Sequence, residues 1–308
     1  MRVLTNDDVR TLAWDDVLGA LEKAFRTRAT SPQAFQVPER TAMRVPQGTY
    51  LTMPCADKEG WFGVKQVSIL PDNPSRNKPS VQAWYTLFDP TGTPILACDA
   101  TLLTRLRTSA VSALAAKHLA LESAQTLLVA GTGSLAPWQA EAHAQVRPYK
   151  NVFVWGRDAE KAKATASEIA ERVSDSGIEV EAVDDLEPAF RRADVITAAT
   201  TAKKPFLKGA WLRPGQHLDL VGAFIPEMAE ADADTVLRAD VFVDDLEAAK
   251  LEAGDLVQAH AQGWSFDAVH GELSEVVSGQ APRQGRERVT LFKSVGLALE
   301  DLVVAKIL

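Results

Sequence analysis

The spacing of apolar positions changes along the chain and divides it into regions of different structure. Val9, Leu12, Val17, Leu21 and Phe25 recur at helical spacing after Thr5-Asn6-Asp7-Asp8. This predicts a capped helix through about residue 28, broken or re-capped near Trp14-Asp15. Ser31–Pro38 reads as a Pro- and Gln-containing linker. From Arg40 to Asp99 the runs become short and β-like: Thr49–Met53, Trp61–Leu70, Ser80–Asp89 and Pro94–Cys98. Pro-Gln-Gly at 46–48, Pro-Asp-Asn-Pro at 71–74 and Asp-Pro-Thr-Gly at 89–92 separate them. The pattern is that of an antiparallel sheet in an α+β domain, and the Ala-rich stretch Leu102–Leu121 predicts the helix that leads out of it.

The next segment, Thr126–Val146, organises the remainder of the chain. Thr126–Ala130 is a short apolar run suited to a strand covered on both faces. Gly131-Thr132-Gly133-Ser134-Leu135-Ala136 then fits G-x-G-x-x-G/A. The first glycine permits a tight turn, the second lets backbone approach a pyrophosphate, and Ala136 lets helix pack on strand. Pro137 suits a first helical turn, whose N–H groups and positive dipole end form an anion site. Strand-like Asn151–Trp155, Ile178–Val183, Val195–Ala199, His217–Val221 and Val241–Asp244 alternate with helical Asp158–Val173 and Leu186–Ala193. Such alternation predicts an α/β fold, a Rossmann-type doubly wound parallel sheet. Val289–Leu308 reads as a final amphipathic helix. The domains expected are 1–117, completed by the helix 290–308, and 118–289.

Composition narrows the function classes. A formal net charge of −8 argues against nucleic acid or an anionic membrane as the main partner. Cys55 and Cys98 form no disulfide framework, and acids near the amino terminus oppose a signal peptide, so a cytoplasmic location is expected. The five histidines are scattered without metal-ligand spacing, and no metal site is expected.

Three cations stand out. Lys65 lies among residues with a buried pattern and either snorkels to solvent or is held for a ligand. Arg40 and Arg107 are single arginines that surface or salt-bridge roles would also explain. Converging in an acidic protein, the three would clamp the carboxylate of an amino or imino acid. Arg157 follows the second strand of the dinucleotide fold, where an Arg accommodates the 2′-phosphate of NADP(H). Adjacent Asp158 is either the ribose-binding acid of an NAD(H) site or a helix N-cap. NADP(H) is favoured on that local chemistry, with NAD(H) possible. Asp184-Asp185 and Asp244-Asp245 read as acids placed at helix N-termini.

The chain resembles the ornithine cyclodeaminase/μ-crystallin family along nearly its whole length. The resemblance rests on Gly63-Val64-Lys65, Leu87-Phe88-Asp89, Leu103–Ala110, the glycine loop, Ala193–Thr197, Trp211–Gly215 and Leu291–Gly296. It implies a Rossmann domain and an N-terminal α+β domain that binds substrate and forms a homodimer. Arg40, Lys65 and Arg107 match the family's carboxylate-binding cations, and Thr108 a residue near the cofactor phosphates. Thr200, Val221 and Ser294 match positions lining the nucleotide path. Trp155-Gly156-Arg157 resembles the Trp-Asn-Arg of NADPH-using members, with Gly156 in place of Asn.

Cyclodeaminases of the family carry an Asp in the loop after the strand that here is His217–Val221, and a Glu ahead of the Met-Pro pair. Here Phe224 and Leu51 stand at those places, Leu51 preceding Met53-Pro54. Leu135–Pro137, His143–Pro148 and Gly222–Phe224 look most like the bacterial Δ1-pyrroline-2-carboxylate reductases. The resemblance therefore implies NAD(P)H-dependent reduction of a small cyclic ketimine acid, with Phe224 and Met53 in the substrate pocket. An ornithine cyclodeaminase and a μ-crystallin-like NADPH-binding protein are the rival readings.

Overall fold

The computed structural model describes residues 1–308, leaving out only the side chains of Asn6, Asp7 and Pro74. Those three belong to the expected helix start at residues 5–8 and the turn at 71–74, and their side chains lie outside the described set. The chain divides into two units, Met1–Thr108 with Gly296–Leu308, and Ser109–Val295.

The first unit runs β1 (Arg2–Leu4), α1 (Asn6–Arg10), α2 (Trp14–Thr30), β2 (Phe35–Gln36), β3 (Thr41–Val45), β4 (Gly48–Asp57), β5 (Phe62–Ile69), β6 (Val81–Phe88) and β7 (Pro94–Asp99). Thr5 and Asp8 cap α1 reciprocally, through Asp8 N–H to Thr5 Oγ1 and Thr5 N–H to Asp8 Oδ2. In α2, Val17, Leu18, Leu21, Ala24 and Phe25 form the buried stripe. The sheet order is β1-β7-β6-β5-β4-β2, with β3 also on β4. Its middle is antiparallel, as expected, but β1 joins β7 in parallel at the edge. Three residues are too few to show alternation in sequence. The expected linker 31–38 likewise hides β2, a two-residue edge strand paired with Ala56 and Asp57.

Period-2 alternation places β5 with Gly63, Lys65 and Val67 on its buried face and Phe62, Val64 and Gln66 on the other. Against β4 and β5 packs the C-terminal helix Ala298–Ala305, every residue of which is buried. The helix expected over 290–308 is thus shorter. Val289–Lys293 is a strand, fully buried and paired on both sides. A strand covered on both faces needs no polar alternation, and VTLFK shows none that would distinguish it from a helix. Gly296, at φ +81°, turns the chain between the two elements.

A long helix, α3 (Ala100–Leu119), leads into the second unit. Next come β8 (Thr126–Ala130), α4 (Ala136–Val146), β9 (Asn151–Trp155), α5 (Ala159–Arg172), β10 (Glu179–Val183), α6 (Leu186–Arg192), β11 (Val195–Ala198), β12 (His217–Leu220), α7 (Ala233–Arg238), β13 (Ala239–Val243), α8 (Leu246–Glu252), α9 (Gly254–His260), β14 (Val269–Glu272), α10 (Leu273–Ser278) and β15 (Val289–Lys293). All eight strands are parallel, in the order β10-β9-β8-β11-β12-β15-β13-β14. The first five strands reproduce the doubly wound order, with β10 at the edge.

Along β8, Leu128 and Ala130 join one apolar core while Leu127 and Val129 join the other. Both faces of the sheet are therefore covered. The expected domain limits shift accordingly. Residues 109–117 group with the second unit, where Ser112 accepts a hydrogen bond from Gln139 of α4. Residues 290–295 group there because β15 fills the sheet between β12 and β13.

Candidate active site

In the first unit the three expected cations come together around the start of the C-terminal helix. Lys65 is 2% exposed and its Nζ lies 2.7 Å from Asp301 Oδ2. Arg107, 5% exposed, donates from Nη1 to Glu300 Oε2 at 2.5 Å and from Nε to Asp301 Oδ1 at 3.3 Å. Arg40 donates from Nη2 to the Gly296 carbonyl at 2.7 Å. A Cβ at Gly296 would lie 2.6 Å from Arg107 Nη1, so the guanidinium packs directly on that glycine. Met53 is buried on β4 directly opposite Lys65.

Asp301 and Glu300 were not anticipated. Their signal is two acids in the helix ALEDLVVA, which is otherwise apolar all round and wholly buried. Buried carboxylates need partners, and these two find the cations. Burial, with Arg107 alongside, pulls the Lys65 ammonium down to about 8 against the opposing pull of Asp301. An ammonium held there keeps its proton at neutral pH but gives it up easily. The free cysteines Cys55 and Cys98 are buried, which pushes both thiols up to about 12 and removes them as nucleophiles.

In the second unit the glycine loop lies between β8 and α4. Gly131 takes φ +136°, and a Cβ there would meet the Thr200 methyl at 2.8 Å. Beside Gly133 a Cβ would find nothing nearer than the Ala199 carbonyl at 3.6 Å, and the residue is exposed, as is Ser134. Leu135 is the N-cap of α4, Ala136 begins the helix, and no side chain caps it. In that first turn the Ala136 N–H donates to Gly133 O at 3.0 Å and Pro137 has none, so the exposed backbone of Gly133 and Ser134 and the positive end of the helix are what fit a dinucleotide pyrophosphate.

Thr200 follows β11, Val221 follows β12, and the Ser294 N–H donates to Leu220 O at 3.2 Å. These three stand at the carboxyl ends of neighbouring parallel strands, where open α/β sheets bind ligands. Thr108 is buried at the end of the first unit. Arg157 is exposed after β9. Asp158 Oδ1 accepts from the Glu160 and Lys161 N–H groups, which gives it the helix-cap role. Gly156 has its own cause: a Cβ there would lie 2.5 Å from the Thr132 methyl. Of the two acid pairs, Asp245 caps α8, and Asp185 occupies the N-cap of α6 without a side-chain bond.

Phe224, in the loop after β12, is 40% exposed. The nearest following acids offer no replacement for the cyclodeaminase Asp. Glu227 is exposed and Glu230 is wholly buried, both its oxygens accepting backbone N–H groups. Deeper in the unit, Asp219 of β12 accepts from Thr197 Oγ1 at 2.9 Å, and burial raises its carboxyl to about 7. No group of His, Cys, Asp and Glu among the described residues could hold a metal ion, and no helix there is long and apolar enough to cross a membrane.

A glycine-loop nucleotide unit, joined to a unit holding buried Lys and Arg, defines a nicotinamide-nucleotide oxidoreductase. The chain belongs to the ornithine cyclodeaminase/mu-crystallin family, which it matches over residues 2–308. It is 38% identical over 267 residues to a Δ1-pyrroline-2-carboxylate reductase of Bacillus cereus, covering 85% of this chain and 81% of that one. The structure of the Thermococcus litoralis Δ1-pyrroline-2-carboxylate reductase, in complex with NADH and L-proline, superposes with a TM-score of 0.92 at 33% identity, covering 100% of this chain and 96% of that one. An archaeal alanine dehydrogenase dimer with bound NAD gives a TM-score of 0.91 at 32% identity, covering 99% and 93%.

Proposed function

We propose that the protein reduces a cyclic ketimine acid bearing one carboxylate, Δ1-pyrroline-2-carboxylate or Δ1-piperideine-2-carboxylate, to proline or pipecolate. The observation that carries this reading is the buried Lys65–Arg107 pair, in a chain alike throughout to a reductase holding NADH and L-proline. Bound nucleotide supplies the hydride, which adds to the imine carbon while the nitrogen takes a proton and C=N becomes C–N. Arg40, Lys65 and Arg107 hold the carboxylate and orient the ring. Lys65, with its ammonium near 8, keeps a proton available to the nitrogen at neutral pH. Gly131, Gly133, Ser134, Leu135 and Ala136 of the second unit receive the phosphates. In the second unit Thr200, Val221 and Ser294 line the path from adenosine to nicotinamide, and Phe224 gives its loop an apolar side chain; in the first unit Met53 lies beside Lys65. Arg157 favours NADPH over NADH by reading the 2′-phosphate.

The protein acts as a homodimer. The outer face of the first sheet leaves Met43, Phe62 and Trp84 more than one-third exposed, and a second copy covers such a face. Light scattering at micromolar concentration should return twice 33.4 kDa; a lone 33.4 kDa species removes the dimer.

One assay tests the reaction: NADPH and NADH oxidation with both cyclic imines, and ammonia release from ornithine. Rapid imine reduction with negligible ammonia release is expected, because Phe224 and Leu51 stand where cyclodeaminases carry their acids, and Asp301 and Glu300 are already taken by Lys65 and Arg107. Ornithine converted to proline and ammonia at rates matching imine reduction would overturn the reading.

A further inference from the structure

We propose that Glu230 is a positioning residue for the nicotinamide half of the nucleotide, clamping together the loops that follow β11 and β12. The proposal rests on the nucleotide-binding reading of this unit. β11 and β12 are parallel neighbours, with Ala198 opposite Leu220. Just beyond them, Glu230 Oε1 accepts the Thr200 N–H at 2.6 Å and Oε2 accepts the Gly222 N–H at 2.7 Å. The side chain is fully buried, and bonds from N–H to a buried carboxylate are about twice as strong as neutral ones.

The two loops meet so closely that only glycine fits at 222. A Cβ there would lie 2.1 Å from Thr200 O and 2.4 Å from Glu230 Oε1. Thr200 in turn closes on Gly131, so one carboxylate sets the spacing of the glycine loop's neighbour and of the loop that carries Val221 and Phe224.

Glu230 is itself anchored from behind. Its N–H donates to Asp255 Oδ1 at 2.6 Å, as does that of Ala231 at 2.9 Å. Its carbonyl accepts from Phe206 and Leu207. Asp255 Oδ2 pairs with Lys293 Nζ at 3.0 Å, and both side chains are completely buried. Lys293 ends β15, the strand beside β12, so the clamp is referred to the sheet itself. A buried carboxylate is a costly means of mere stabilisation, since an apolar side chain of like volume fills the same space without desolvating a charge. What the carboxylate supplies is a fixed distance between two backbone N–H groups at the ligand-binding end of the sheet.

The test separates the two ends of the nucleotide in the full-length protein. Glu230→Gln retains one acceptor oxygen but sets an amide NH2 against the second N–H, so one loop is released. NADH affinity, read by fluorescence, should fall tenfold or more, with KM for NADH rising in step and kcat changing less. ADP affinity, read by calorimetry, should stay within twofold. Gly222→Ala crowds the clamp from the loop side and should produce the same split; it provides the test if Glu230→Gln does not fold. NADH affinity within twofold of wild type, or equal losses for NADH and ADP, would overturn the clamp. Wild-type protein unable to bind NADH would instead remove the nucleotide reading on which it rests.

Discussion

The buried carboxylates at the candidate site of each unit are satisfied in different ways. In the first, Lys65 and Arg107 face Asp301 and Glu300, so charge meets charge. In the second, Glu230 is held by two backbone N–H groups and Asp219 by a hydroxyl, so these two acids meet dipoles, while Asp255 and Lys293 behind them pair charge with charge. The first arrangement keeps cations inside the protein, as the proposed carboxylate site requires. The second converts a carboxylate into a spacer for backbone. Buried ion pairs contribute little net stability, whereas removing one partner costs about 3–5 kcal/mol. Net stability is therefore a weak reason for burying either set, and the proposed roles, carboxylate binding for Lys65 and Arg107 and loop spacing for Glu230, can be tested separately.

The largest effect should come from breaking the first arrangement without leaving a lone buried charge. In Lys65→Met with Asp301→Asn, the amide oxygen can still meet Arg107 Nε, so the fold should persist. We expect kcat/KM for imine reduction to drop by about a thousandfold, or about 4 kcal/mol, while NADH affinity changes less than twofold. Retained activity would show that the pair is structural only.

Next is cofactor choice. Arg157→Ala should weaken NADPH by about ten- to a hundredfold, the worth of one charge-assisted contact, and leave NADH nearly unchanged in steady-state kinetics. Equal losses would mean that Arg157 does not read the 2′-phosphate.

A change of pH should have a smaller effect. Lys65, lowered to about 8, loses its charge as pH rises through that value. The pH profile of kcat/KM should fall above about 8, and Lys65→Arg, which cannot deprotonate there, should lack that limb.

The smallest concerns Asp219. Its folded carboxyl is raised to about 7 from 3.8, so the folded chain keeps a proton that the unfolded chain has released. The stability it contributes is complete below about pH 4 and is lost as pH rises through 7. Asp219→Asn should flatten the decline in Tm between pH 5 and 8 by a few degrees; Glu230, also raised to about 7, keeps part of the slope. Identical Tm profiles would show that Asp219 does not titrate in this range.

Much of the molecule could be read from the order of residues alone. The glycine loop, the alternating strands and helices of the second unit and the antiparallel runs of the first are local patterns, since period and turn chemistry act over a few residues. Lys65 was legible as a polar residue inside a buried run, and Asp158 as a possible cap. The rest depended on partners distant in sequence. β1 is too short to have a period, and β15, covered on both faces, shows none. Asp301 and Glu300 lie more than 190 positions from Arg107, and Glu230 lies 30 from Thr200. Whether a buried acid neutralises a cation or spaces two loops is set by the atoms that surround it. Only the tertiary structure chooses those neighbours, because burial raises the cost of an unpartnered charge and leaves each carboxylate to the donors the fold places within reach.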